Sequence, residues 1–280
     1  MKNRKIDLIL VIFLFFSFIL FCLSFCVDKN KAIAIKSALV NPSYKKNISR
    51  LIIQDPENLL TLNLKNQFWI CETNGLSTYA NRENIDNFIN KLTNIRNMYK
   101  ISDNNNEKSN LHLTKENAVI VTVIDSSDKA VSKIYFGKEN NLTSRIFVSN
   151  DKGRISYETE NDLSSFLSTD INFWTVPEIF FITKNPSNLK INADKLHTLL
   201  SLRHGNIVPK NQIPSSAVFA SSYTLYGQYE YSQRIDFYEY KNSDSTDYYY
   251  IQNVSPHNIS ENCAYELSSW SYNKLKDLLK

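Results

Sequence analysis

Four histidines, one group of carboxylates, two cysteines and a tyrosine-dense stretch are the residues of this 280-residue chain that chemistry could use. Of His112, His197, His204 and His257, only His197 and His204 fall close enough to share a helix face. Their seven-residue spacing spans about 10.5 Å at 1.5 Å per residue, too far for both to reach one ion at about 2.1 Å. Histidine and cysteine never occur in CxxC, HExxH or HxH spacing. No metal ligand is therefore expected, and the two histidines read as hydrogen-bonded groups at a helix edge. Glu158, Glu160 and Asp162 are a second candidate, since paired carboxylates can act as acid and base in glycoside cleavage. They also precede the apolar pattern Leu163, Phe166, Leu167, where first-turn acids favour a helix dipole and Thr159 with Asp162 has capping-box character. That structural role is the expectation. No G-x-S-x-G elbow mounts a nucleophile. The five glycines, never closer than 16 positions, cannot assemble a Walker loop or a GxGxxG turn. The chain reads as a non-enzyme without a cofactor.

Nine of the sixteen tyrosines lie between Tyr223 and Tyr250. Strand alternation puts Leu225, Tyr229, Tyr231, Ile235 and Phe237 on one face and Tyr226, Glu230, Arg234, Asp236, Tyr238 and Tyr240 on the other. Tyr226, Glu230, Arg234, Tyr238 and Tyr240 form a candidate surface, because exposed rings among charges stack on sugars or anchor a protein partner. The competing reading is cross-strand packing of strong β-formers. Cys71 and Cys263 would pair in an oxidising compartment if the fold brings them together, and are otherwise two buried thiols.

The elements that position these residues begin with a membrane segment. Residues 8–27 carry no charge and are long enough to cross a bilayer core of about 30 Å. Lys2, Arg4 and Lys5 precede them, which keeps the N-terminus cytoplasmic and places the rest outside the inner membrane as a single-pass protein. A cleaved signal peptide ending near Ala32-Ile33-Ala34 is the alternative, although a secretory apolar region is normally shorter. With Lys2, Arg4, Lys5 and Asp7 set aside the remainder is nearly neutral and its basic residues are scattered, so nucleic acid is excluded as a partner.

Beyond a tether over residues 29–48, short β-type runs alternate with turn residues. Residues 81–99 place Ile85, Phe88, Ile89, Leu92 and Ile95 at helical spacing behind Asn81 as cap. Residues 192–204 form a second helix with Leu196, Leu199 and Leu200 on its apolar face and Gly205 as its stop. The expected fold class is α+β: a cytoplasmic tip and N-terminal transmembrane helix over residues 1–28, then two mixed α+β units with mainly antiparallel sheets, over 49–170 and a tyrosine-rich 171–280.

Four phrases carry a resemblance: LTLNLKNQFWI at residues 60–70, TYAN at 78–81, IYFGK at 134–138 and INFW at 171–174. In this order and spacing the chain resembles the bacterial domain-of-unknown-function family numbered 4340, over about residues 50–181. The resemblance implies a membrane-anchored protein with an extracytoplasmic α+β region, encoded beside gliding-motility-type ABC transporter components. It implies partners in the lipid bilayer and in the transporter permease and ATPase, and supplies no catalytic residue. The expected function is a non-catalytic accessory or scaffolding subunit of such a system, with a cell-envelope glycan-binding module using the aromatic strand face as the alternative.

Overall fold

The computed structural model describes residues 15–18, 34–150, 153–227, 231–256, 259–260 and 262–279. Their architecture follows from runs of β-branched and aromatic residues too short to span more than one strand each. The first ten strands form one sheet: β1 (Ala34–Ser37), β2 (Ile48–Gln54), β3 (Leu59–Lys65), β4 (Phe68–Thr73), β5 (Leu76–Tyr79), β6 (Arg96–Ser102), β7 (Val119–Asp125), β8 (Ala130–Asn140), β9 (Arg145–Asn150) and β10 (Ser156–Glu160). Their order is β1-β6-β10-β9-β8-β7-β2-β3-β4-β5, and all the pairings are antiparallel. Two hairpin meanders, β2 to β5 and β7 to β10, are therefore joined by a single long-range seam in which Leu51 faces Val123.

A second sheet contains β11 (Ile207–Pro209), β12 (Val218–Tyr226), β13 (Ser232–Lys241), β14 (Thr246–Ser255) and β15 (Cys263–Leu267), ordered β11-β15-β14-β13-β12. The helices are α1 (Arg82–Thr93), α2 (Ile171–Trp174), α3 (Ala193–Leu200) and α4 (Ser269–Leu278). The α1 stripe Ile85, Phe88, Ile89 and Leu92 is buried as its spacing requires, and the Asn81 side chain accepts from the Glu83 and Asn84 amides. One hydrophobic core joins that stripe to inward residues of β2, β3, β4, β7, β8 and β9, and continues to Ile235, Phe237, Tyr250 and Tyr265 of the second sheet. The large sheet is thus draped over α1 on one side of a core that both sheets share.

The α+β expectation is corrected here. The described residues are mostly antiparallel β-sheet, ten strands and five, and their helices beyond residue 34 are short: twelve residues in α1, eight in α3 and ten in α4. Long-range pairing, which local periodicity does not reveal, gathers the scattered β-type runs into continuous sheets. Among the described residues no helix is long and apolar enough to cross a membrane. The transmembrane helix expected over residues 8–27 lies outside the described residues apart from the helical residues 15–18. Within the stretch read as tether, Ala34–Ser37 forms β1 against β6.

Two helices end earlier than their patterns suggest. After α1, Ile95 is 70% exposed and the chain is drawn into β6 at Arg96, whose guanidinium binds Asp162 and the carbonyl of Lys91. After α3, Ser201 closes the helix and His204 sits in the following loop.

Candidate functional site

Two of the three carboxylates that suggested hydrolysis, Glu158 and Asp162, are held by partners within the fold, and Glu160 is exposed at the end of β10. Glu158 is buried on β10, where it accepts from Asn140 Nδ2 at 2.7 Å and Thr143 Oγ1 at 2.5 Å and lies 3.6 Å from Arg145. Asp162 binds Lys91 at 2.9 Å and Arg96 at 2.7 Å. Partial burial raises its pKa, but those two cations outweigh the burial and hold the carboxyl below its ordinary range. The capping-box expectation is corrected too: the Thr159 hydroxyl donates to the Asn97 carbonyl, and no side chain caps the short 3₁₀ turn over Ser164–Leu167. Cross-strand bonding took these groups before a helix end could.

The histidines separate likewise. His112 sits in a turn at φ 57°, His197 is exposed on α3, and His257 lies outside the described residues. The His204 ring packs 5.0 Å from the ring of Tyr265, with Nδ1 2.7 Å from the Gly205 carbonyl and Nε2 2.9 Å from the Val176 carbonyl. Burial pushes its pKa down while both carbonyls and Glu178 pull it up, and burial prevails. A histidine whose folded pKa lies below the unfolded value, about 6.5, binds fewer protons folded than unfolded. Its stabilising contribution is therefore complete above that value and is lost as pH falls through it. Denaturant midpoints of the full chain measured between pH 7.5 and 5.5 should drop more steeply for wild type than for His204→Asn; equal slopes would remove His204 from the pH response.

Among the described residues no group of three or more His, Cys, Asp or Glu could hold a metal. Cys71 and Cys263 are free, buried thiols, and burial raises the pKa of each. The Cys263 thiol donates to the Ser77 carbonyl at 3.3 Å, which ties β15 to β5.

A buried polar network completes the join between the sheets. Tyr265 Oη lies 2.6 Å from Thr78 Oγ1 and accepts from Gln252 Nε2 at 2.5 Å. Gln233 Nε2 donates to Gln252 Oε1 at 3.0 Å and to the Ile179 carbonyl at 2.7 Å, while Gln233 Oε1 accepts from the Phe181 amide. Every member is enclosed, so each group needs its partner.

The network also holds one wall of the main cleft. This cavity, about 800 Å³, opens where β4, β5, the start of α1, α3 and the segment 176–184 meet. Phe68 and Trp69 come from β4, Tyr79 from β5, Phe180 and Phe181 from the segment, and Leu196 and Leu200 from α3. The irregular segment is pinned at three points: Val176 N–H donates to Tyr79 O, Ile179 N–H to Leu202 O, and Phe181 N–H to Gln233. Phe68 and Phe181 flank the buried Tyr79 ring at 5.5 and 5.1 Å. Charges on the lining are mixed: Arg82 pairs with Asp86 at 3.5 Å, Glu178 pairs with Arg203 at 3.8 Å, and Glu83 and Lys184 add one charge of each sign. Such a site offers apolar burial and aromatic contact to a ligand without strong net charge, in the size range of small-molecule pockets.

The tyrosine surface lies elsewhere, on the outer face of the second sheet. Tyr226 ends β12, half exposed; Arg234, Tyr238 and Tyr240 follow on β13; Glu230 lies outside the described residues. Arg234 Nε donates to Asp236 Oδ1 at 2.9 Å and to Ser222 Oγ at 3.2 Å, and Tyr238 meets Phe219 edge-on at 6.0 Å. Tyr226, Arg234, Tyr238 and Tyr240 do not line the cleft. The cleft itself escaped the sequence reading, because its walls come from residues more than a hundred positions apart. Two signals pointed to it: the apolar run at 179–182 outside any strand, and a leucine stripe on α3 of which only Leu199 is fully buried. Two of the phrases that carry the resemblance, those at 78–81 and 171–174, meet beside it: Ala80 bridges Thr175, and the Asn81 amide donates to the Trp174 carbonyl. The chain matches no family model, no curated protein and no solved structure.

Proposed function

We propose that this chain is a non-catalytic accessory subunit displayed outside the cytoplasmic membrane, which holds an uncharged apolar element of its partner in the cleft between β4, α3 and the segment 176–184. The observation that carries this reading is the cleft: a preformed space of about 800 Å³ with aromatic and leucine walls, whose polar residues carry both signs of charge. The uncharged run at residues 8–27 supports its position at the bilayer. The resemblance to the family numbered 4340 supports an ABC-type, gliding-motility-like permease and ATPase as the partner complex, in which ATP hydrolysis would belong to the ATPase.

Full-length protein recovered from its native membrane in mild detergent should bring down a permease and an ATPase in stoichiometric amounts. Leu196→Arg should lose both while the fold, read by circular dichroism, is kept. Recovery of the chain alone, or unchanged recovery with Leu196→Arg, would overturn the reading. The same variant makes a simpler prediction. An uncharged fluorescent dye, N-phenyl-1-naphthylamine, should bind the wild-type chain saturably and report through Trp69, which lines the cleft. Leu196→Arg should weaken that binding roughly tenfold or more, the cost of a charge in an apolar wall.

A second reading, a glycan-binding module, is favoured by the partly exposed rings of Tyr226, Tyr238 and Tyr240 beside the fixed Arg234 guanidinium. Saturable quenching of tyrosine fluorescence by cell-wall saccharides, abolished by Tyr238→Ala and untouched by Leu196→Arg, would favour it over the cleft.

A further inference from the structure

A sheet edge presents unpaired N–H and C=O groups, and native edges are shortened, covered, or guarded by charge or proline. Three of the four edges here follow that rule. β1 has four residues; β11 has three and ends in Pro209 before Lys210; β5 is covered by the Ala80–Thr175 bridge and by the Val176 amide, which donates to Tyr79. The β12 edge does not. It is nine residues long, and no charged residue occurs between Lys210 and Glu230. Val218 is 67% exposed and Phe219 53% exposed. Among the described residues only its far end is closed, where Asn188 Nδ2 donates to Thr224 O, the Tyr226 amide donates to Asn188 Oδ1 and the Ser187 amide donates to Tyr226 O. The near end is bounded by the turn in which the Ala217 amide donates to Pro214 O. Residues 218–223 remain as an open window.

We propose that this window pairs antiparallel with the same window of a second copy, joining two five-stranded sheets across a twofold axis. The bounds of the window select a copy as the occupant. In a self-pairing of residues 218–223, the Asn188 clamp of each molecule lies just beyond Val218 of the other, so the two windows have equal length and neither obstructs its mate. Val218 then faces Tyr223 of the second copy, and Phe219 faces Ser222, which gives an aromatic pair with a β-branched residue on one face. A neutral strand meets itself without opposed like charges, and the two-residue-for-one bulge between Phe219 and Ser221 falls near the axis. The pairing uses none of the cleft residues and stands apart from the function proposed above.

The test is the protein mass of the full-length chain in mild detergent by light scattering, together with oxidative cross-linking of Ala220→Cys. Wild type should have twice the monomer mass, and Ala220→Cys should form a covalent dimer beyond any wild-type background. Phe219→Lys and Val218→Lys, both at exposed positions, should each give monomer with an unchanged circular dichroism spectrum. A wild-type monomer at micromolar concentration overturns the proposal, and so does a dimer that survives both lysine variants. A β12 edge found occupied only by a different protein overturns it as well.

Discussion

Replacing Trp174 with alanine should lower the unfolding free energy by about 3–5 kcal/mol, the range for emptying a large buried aromatic site. Trp174 is fully buried, with Phe88, Phe166 and Phe173 around it at centroid distances of 5.7, 6.2 and 5.0 Å. Its indole N–H donates to the Ser168 carbonyl at 2.8 Å, so alanine also leaves that carbonyl without its partner. The loss is concentrated where α1, α2 and β5 meet, because the Trp174 carbonyl accepts from the Asn81 amide that opens α1. Denaturant titration of Trp174→Ala beside Phe166→Ala separates the causes. Phe166 is only partly buried and should cost less. A Trp174→Ala penalty below about 1 kcal/mol, in the range of ordinary surface changes, would mean that this junction does not close the core.

The second large effect should come from Gln233→Leu. The substitution keeps much of the volume but deletes the donor to Ile179 O and Gln252 and the acceptor of the Phe181 amide. Each buried group left without a partner costs about 1–3 kcal/mol, so a total of several kcal/mol is expected, offset in part by the added apolar contact. The change should also act on the cleft, since two of the lost bonds hold the wall that carries Phe180 and Phe181. Reduced stability together with lost dye binding is the expected result. Reduced stability with unaltered dye binding would show that the wall is held by Val176 and Ile179 alone.

Local structure was readable where neighbours in sequence are neighbours in space. The α1 stripe and its Asn81 cap depend on contacts three and four residues apart, and Asp55 closes the β2–β3 turn by accepting from the Glu57 and Asn58 amides. The alternation in β13 was legible for the same reason: Gln233, Ile235 and Phe237 point inward, and Arg234, Tyr238 and Tyr240 lie on the opposite face. What lay beyond reach was long-range pairing. Nothing within residues 96–102 tells that β6 will be flanked by β1 and β10, so the fold class was read as more helical than it is. The cleft was hidden by the same distance, with Phe68, Tyr79, Phe181 and Leu196 converging from four elements. Arg96 falls inside the helix expected over residues 81–99, whereas its guanidinium is buried against Asp162 at the start of a strand.

The seam between β2 and β7 sets the order in which the large sheet can assemble. Each meander closes through hairpins of low sequence separation, but Ile53 must wait for Val121, 68 residues further along the chain. Chain leaving the ribosome or a translocon N-terminus first therefore forms the β2 to β5 ribbon with the β2 edge bare, and apolar Leu51 and Ile53 on it, until β7 has emerged. The closure entropy of that long loop is lost before any seam bond forms, which makes the seam a costly step in assembling the sheet and leaves the apolar edge of the nascent ribbon uncovered until then.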